Sequence, residues 1–349
     1  MNRADHFLIG GLDSAVSLPL DKRALRLGVI LCAACLGLSL FALGWGTLTL
    51  TFNDVVQALF GNAQGQIQVV VTQWRLPRIT AAVILGAALG VSGAIFQSLL
   101  RNPLGSPDVV GFNTGAYSGA LLVIAVFQGG YYETAAGALS GGLATALVVY
   151  ALAWRKGSAP GFRLIIVGIA VSALLNAFNT WLMISASLQT AMSAALWGAG
   201  SLNGVTWSKV SPSLIFCLLA IAAAVPMQRR IRLLAMGDDA AQALGVPVNR
   251  SRLALMLLAV SLTAAATAAT GPISFIALAA PQITRRLLGA NDVSLLNAAW
   301  MGALLLLAAD QIAHHLFAPS QLPVGVVTIS VGGVYLAWLL INDSPRKTS

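Results

Sequence analysis

The chain has 349 residues, 58% of them hydrophobic and only 9% charged, with 20 Lys and Arg against 11 Asp and Glu and a formal net charge of +9. Soluble domains carry about 25% charged residues, so this chain cannot cover a water-facing surface of its size, and a mean hydropathy of +0.83 agrees with an integral membrane protein. The basic surplus does not signal nucleic acid, because no basic stretch lies on a polar, foldable segment. About ten helical spans of roughly 20 residues use most of the length, which leaves no room for a fused ATPase, and no Walker-type phosphate loop occurs. No cleavable leader is evident, since the first apolar run follows a polar stretch and no small-residue cleavage site follows closely.

In chain order, residues 1–25 form a polar N-terminal segment and span 1 covers 27–45. Its Cys32-Ala-Ala-Cys35 matches C-x-x-C by letter, but it sits inside an apolar run and reads as small packing residues. Asn53-Asp54 is a helix start, and 55–73, rich in Gln, is an interfacial helix and loop rather than a span. Span 2 runs over 77–100, a Gly/Pro-rich loop over 101–112, span 3 over 113–127 and span 4 over 134–154. A basic turn with Ser158, Ala159, Pro160 and Gly161 precedes span 5 at 163–185. An uncharged segment with Gln189, Trp197, Asn203 and Trp207 leads to span 6 at 210–227. The long polar segment 228–252 follows, then span 7 at 253–270. Gly271-Pro272 interrupts the apolar run because proline cannot continue the hydrogen-bond ladder. Spans 8, 9 and 10 cover 273–288, 293–317 and 324–341, and 342–349 is a polar tail.

With an even number of spans, every Lys and Arg except Arg75, Arg78 and Lys209 falls on the side that holds both termini. Basic residues are retained on the cytoplasmic side, so both termini are expected there. Gly86-x-x-x-Gly90, Gly115-x-x-x-Gly119 and Gly137-x-x-x-Gly141 put small residues on one helix face, which lets backbones approach closely.

Few residues carry chemistry. The segment 228–252 contains Gly237, a helix breaker, then Asp238 and Asp239, either of which can cap a short helix through Ala240, Ala241 and Leu244, with Gly245 as its stop. The result is a helix-turn-helix knob, read either as an ordinary positive-inside loop or as a docking site for a soluble partner. Asp310 is the carboxylate placed well inside a span, a functional candidate by position, read as a structural hydrogen-bonding group near the outer leaflet ahead of a proton relay. His314 lies one helical turn on and within reach of it. No catalytic or metal-ligating constellation is found.

Beyond the knob, three stretches are distinctive. RLPR at 75–78 leads into GAALGVSGAIFQSLLRNPLGSPDVVGFNTGA at 86–116, GPISFIALAAPQITRRL spans 271–287, and LPVGVVTISVGG spans 322–333. Together they resemble the iron-siderophore and vitamin B12 permease family of ABC transporters, and the wording around 75–116, with SLNG at 201–204, is most like the permeases for ferric enterobactin. The resemblance implies an all-α, polytopic membrane protein with type II ABC importer permease architecture, one permease domain over 1–349. It implies an inner-membrane subunit, paired with a second, paralogous permease, that moves a ferric catecholate from periplasm to cytoplasm. Two ATPase subunits, which bind ATP and Mg, would meet the coupling loop at 228–252, and no cofactor is expected in this chain. A periplasmic binding protein would dock on Arg75 and Arg78. Where family members carry a further outer arginine this chain has His314, largely neutral at pH 7. The turn Ser158–Gly161 would belong to the cytoplasmic gate.

Two rivals are weaker. An ion-coupled secondary transporter could use the break at Gly271-Pro272, but Asp310 alone gives too few intramembrane charges. A serine protease could use Gly90-Val91-Ser92-Gly93, but Ser92 and the histidines lie far apart in sequence, at different depths.

Overall fold

The computed structural model describes residues 6–9, 18–46, 48–63, 65–154, 161–289, 294–316 and 321–342. Two short antiparallel strands, β1 (His6–Ile9) and β2 (Leu18–Asp21), precede the helices. They were not foreseen, because pairing four residues with four leaves no periodic signal in a polar segment. The rest is helical: α1 (Lys22–Gly44), α2 (Phe52–Leu59), α3 (Gln66–Val69), α4 (Leu76–Leu100), α5 (Phe112–Leu122), α6 (Tyr131–Ala153), α7 (Gly161–Ser185), α8 (Leu188–Gly198), α9 (Trp207–Ala224), α10 (Gln228–Ala235), α11 (Asp238–Ala243), α12 (Val248–Thr270), α13 (Ile276–Leu288), α14 (Leu295–His315) and α15 (Val324–Asn342).

Seven of these helical stretches are long and apolar enough to cross a membrane, and two shorter apolar helices, at Phe112–Phe127 and Val324–Trp338, join them. α13, with 13 residues, rises only about 20 Å, and the non-helical turn through Gly271 and Pro272 precedes it. Among the described residues, these nine apolar helices and the short α13 are the counterparts of the ten expected spans. One end of the bundle gathers Arg101, Arg252 and Arg285; it is called the basic end below. The opposite end gathers Arg75, Arg78 and Lys209.

The boundary of the second span differs from expectation. α3, a wide π-type segment at Val70–Arg75 and α4 run on as one 35-residue helix from Gln66. Glutamines at 66, 68 and 73 hid this start, since an amphipathic overhang carries no apolar run. The helix start at residue 53 shifts to Thr51, whose side chain accepts from the Asp54 amide while Asp54 accepts from the Thr51 backbone, a reciprocal capping box.

The centre of the bundle is α4 packed on α12, α13 and α14. Cover differs between centre and flank: 78% of the most apolar stretch of the α3–α4 helix is buried and 72% of that of α12, against 17% for α7 and 28% for the helix from Trp207 to Ala235. Glycine makes the close packing. A Cβ on Gly86 or Gly90 would collide with the α14 backbone at Gly302 or Ala298, and one on Gly119 with the carbonyl of Gly137 on α6. Ser92 is fully buried, donates to the Ala259 carbonyl at 2.7 Å and shares a 2.8 Å hydrogen bond with Thr263. It is a tie between α4 and α12, with no histidine beside it.

Candidate functional site

Two polar clusters, one at each end, hold most of the residues singled out from the sequence. At the basic end, Gly237 adopts φ +127 and Gly245 φ +80, conformations that suit glycine and bend the chain at both ends of α11. Ala241 and Val246 are buried and seat the knob, while Met236 and Leu244 stand 70% and 60% exposed and Asp239 is exposed. The expected cap is corrected: Gly237 occupies the N-cap and makes no side-chain cap bond. The Asp238 carboxylate turns to charge partners instead. Arg252 Nη2, at the start of α12, donates to both of its oxygens at 2.8 and 3.0 Å. Arg101, just past α4, donates to it as well. Both options are charge-assisted, but the two guanidiniums add full positive charges and a two-pronged bond where the helix end offers only a partial dipole charge. Partial burial raises the Asp238 pKa, but the Arg252 and Arg101 guanidiniums outweigh it and hold the carboxyl below the usual range.

At the opposite end lies an open cavity of about 490 Å³, lined by Arg75, Arg78, His314 and Gln321 together with Trp45 and Trp74. Arg75 Nη1 donates to the Leu43 carbonyl at 2.6 Å, and Nη2 to the Leu48 carbonyl, gripping the end of α1. Arg78 makes a two-pronged pair with Asp310, through Nε at 2.8 Å and Nη2 at 2.9 Å, and Asp310 is completely buried. The expected Asp310–His314 pairing is therefore corrected: Asp310 takes Arg78 from α4, across the α4–α14 seam. His314 Nδ1 lies 3.3 Å from Arg78 Nη1, and Gln321 Oε1 accepts from that same nitrogen at 3.2 Å. A guanidinium offers donors only, so His314 Nδ1 acts as the acceptor.

A third polar cluster was missed in the sequence. Asp108, in the loop between α4 and α5, accepts from the Asn113 side-chain amide and, at 3.3 Å, from the Phe275 backbone N–H. Thr267 on α12 donates to Asn113 Oδ1 at 3.3 Å. Phe275 itself has φ +71 at the start of α13. The loop thus folds back into the bundle and carries an acid to the break before α13, a position that linear spacing does not give. Ser158, Ala159 and Pro160, expected at the cytoplasmic gate, lie outside the described residues, and Gly161 opens α7. Among the described residues, no group of three His, Cys, Asp or Glu is placed to hold a metal.

The helical bundle defines an all-α, multi-pass membrane protein, and the permease class follows from its relatives. The chain belongs to the FecCD transport family, which matches residues 31–342. It is 57% identical over 327 residues to the ferric enterobactin transport system permease protein FepG of Escherichia coli (strain K12), covering 94% of this chain and 99% of that one. It is 36% identical over 335 residues to the hemin transport system permease protein HmuU of Yersinia pestis, with 93% and 97% covered. The iron(3+)-hydroxamate import system permease protein FhuG of Bacillus subtilis (strain 168) is 34% identical over 310 residues, with 86% and 92% covered. Among solved structures, the chain superposes on a metal-chelate type ABC transporter in an inward-facing conformation with a TM-score of 0.81 and 27% identity, covering 91% of this chain and 99% of that one.

Proposed function

We propose that the chain is one permease subunit of a bacterial ABC importer that carries a ferric catecholate siderophore of the enterobactin type from periplasm to cytoplasm. The observation that carries this reading is the 57% identity to the ferric enterobactin permease over nearly the full length of both chains. The basic end then faces the cytoplasm, in keeping with retention of Lys and Arg on that side, and both termini lie there. The knob from Gly237 to Gly245, with Met236 and Leu244 uncovered, is the seat for a separate ATPase that binds ATP and Mg. The cavity with Arg75 and Arg78 faces the periplasm and receives a substrate-loaded binding protein. The polar turn at Ser158, Ala159, Pro160 and Gly161 sits at the inner mouth. A second permease, a paralogue of this chain, supplies the other wall of the pathway and covers helices such as α7 that this chain leaves open.

The test is reconstitution of the chain with its second permease, ATPase and binding protein in liposomes, followed by uptake of radiolabelled iron chelates. The expected result is ATP-dependent uptake with ferric catecholates preferred over hydroxamates. Preference for a hydroxamate would overturn the substrate, and uptake driven by an ion gradient without the ATPase would overturn the class.

A further inference from the structure

The knob is tied to the bundle through one carboxylate with two anchors on different helices. Arg101 caps the end of α4, its backbone left-handed with φ 49. Arg101 Nε donates to the Leu234 carbonyl at 3.2 Å, and its Nη2 donates to Asp238. It therefore grips the chain on both sides of the Gly237 bend. Arg252, near the start of α12, is 9% exposed and holds the same carboxylate from the other side. Beneath the fork, Ile231 and Leu234 of α10 are buried. Higher in the bundle, Ser92 ties α4 to α12 at Ala259 and Thr263. Asp239, the neighbouring acid, lies exposed on the knob.

We propose that Asp238 is the positioning residue that makes the knob move with α4 and α12 together, so that a push on α11 enters both helices at once. This rests on the ATPase-driven reading above. The physical reason is stiffness. α11 has six residues and is bounded by two glycines with positive φ. Such a short element between flexible joints would tilt on its own under load unless charged bonds held it to the long helices. Asp238 shares its carboxylate between two guanidiniums, so it locks the knob against rotation about either bond. Two long helices already joined at Ser92 then receive the displacement as one body. Asp239 has no such task and is left to the partner's surface.

The experiment uses the assembled transporter in liposomes and reads iron-chelate uptake per ATP hydrolysed, with binding protein present. Asp238→Asn keeps the shape and removes the charge. Arg101→Gln severs the α4 arm alone and leaves Arg252 on the carboxylate. Both variants are expected to lower uptake per ATP by about fivefold or more, the usual scale of a coupling energy between sites, with Asp238→Asn the larger loss. Asp238→Glu, which keeps the carboxylate, should recover most of it. An unchanged ratio in Asp238→Asn would overturn the proposal. So would failure of both Asp238→Asn and Arg101→Gln to assemble, which would assign the cluster to folding. The broader reading has its own signature: if the unaltered chain neither binds an ATPase nor shows ATP-dependent uptake, the importer reading fails, whereas a working importer with normal coupling in Asp238→Asn removes the relay alone.

Discussion

Asp310 and Arg78 illustrate how one buried pair is set by its surroundings. A fully buried carboxylate is costly unless it is paired and hydrogen-bonded, and Arg78 satisfies both oxygens with parallel bonds. Removing one partner leaves the other charge stranded, which costs about 3–5 kcal/mol at such sites. Asp310→Ala is expected to destabilise the purified chain in detergent by about that much, read as a lower thermal midpoint, while Asp310→Leu combined with Arg78→Met recovers most of it. If the double variant is as unstable as the single one, the pair is not what holds the site. Asp238 behaves differently because it is more exposed. Its depressed pKa means the pairing is in full effect above the ordinary carboxylate range, near pH 4, and is lost as pH falls through the lower folded value. Between about pH 5 and 8 the fork is therefore expected to be insensitive to pH.

The α4–α14 seam shows the same economy with backbone in place of charge. Gly86, Gly90 and Gly302 meet face to face, and in lipid, where apolar surface gains little from association, such close van der Waals contact holds helices together. Gly302→Val is expected to separate the pair at a cost of about 1–3 kcal/mol, the usual range for overpacking, read as lower yield and thermal midpoint. Gly37→Ala in α1, where a Cβ would meet nothing within 4 Å, is the control and should be neutral or stabilising. Equal loss in both variants would mean that helix propensity, not the seam, decides. The glycine pattern was legible from spacing because a four-residue repeat returns to one helix face. Which helix fills that face was not: Gly86 and Gly90 meet α14, more than 200 residues on, whereas Gly115 and Gly119 meet the adjacent α6.

The whole molecule presents a dense centre and thinly covered flanks. α7 and α9 keep most of their surface for lipid or a partner, while the α4–α12–α14 centre connects the knob at one end to the cavity at the other. At that cavity Asp310 offsets the charge of Arg78, whereas Arg75 is held by backbone carbonyls that leave its charge uncancelled. Arg75 is thus the stronger source of attraction for an acidic partner surface. Arg75→Glu is expected to weaken binding-protein docking roughly tenfold at low salt, with the difference shrinking near 0.15 M, where charges farther apart than about 8 Å are screened. Unchanged affinity at low salt, measured on the reconstituted transporter, would remove Arg75 from docking.

Composition alone determined that this chain lives in a membrane, and apolar runs set the number and rough limits of its passes, because lipid demands long uncharged stretches whose backbone bonds close within each helix. The break at Gly271-Pro272 and the knob between Gly237 and Gly245 were equally plain, since proline and glycine act through local backbone geometry. Partnership was decided only in three dimensions. Asp310 prefers Arg78 to the nearby His314, Asp238 prefers two arginines to capping its own helix, and Asp108 reaches the break before α13 on a loop that reads as an ordinary connection. Each choice depends on which charge the packed helices bring within about 3 Å, a distance that position along the chain does not encode.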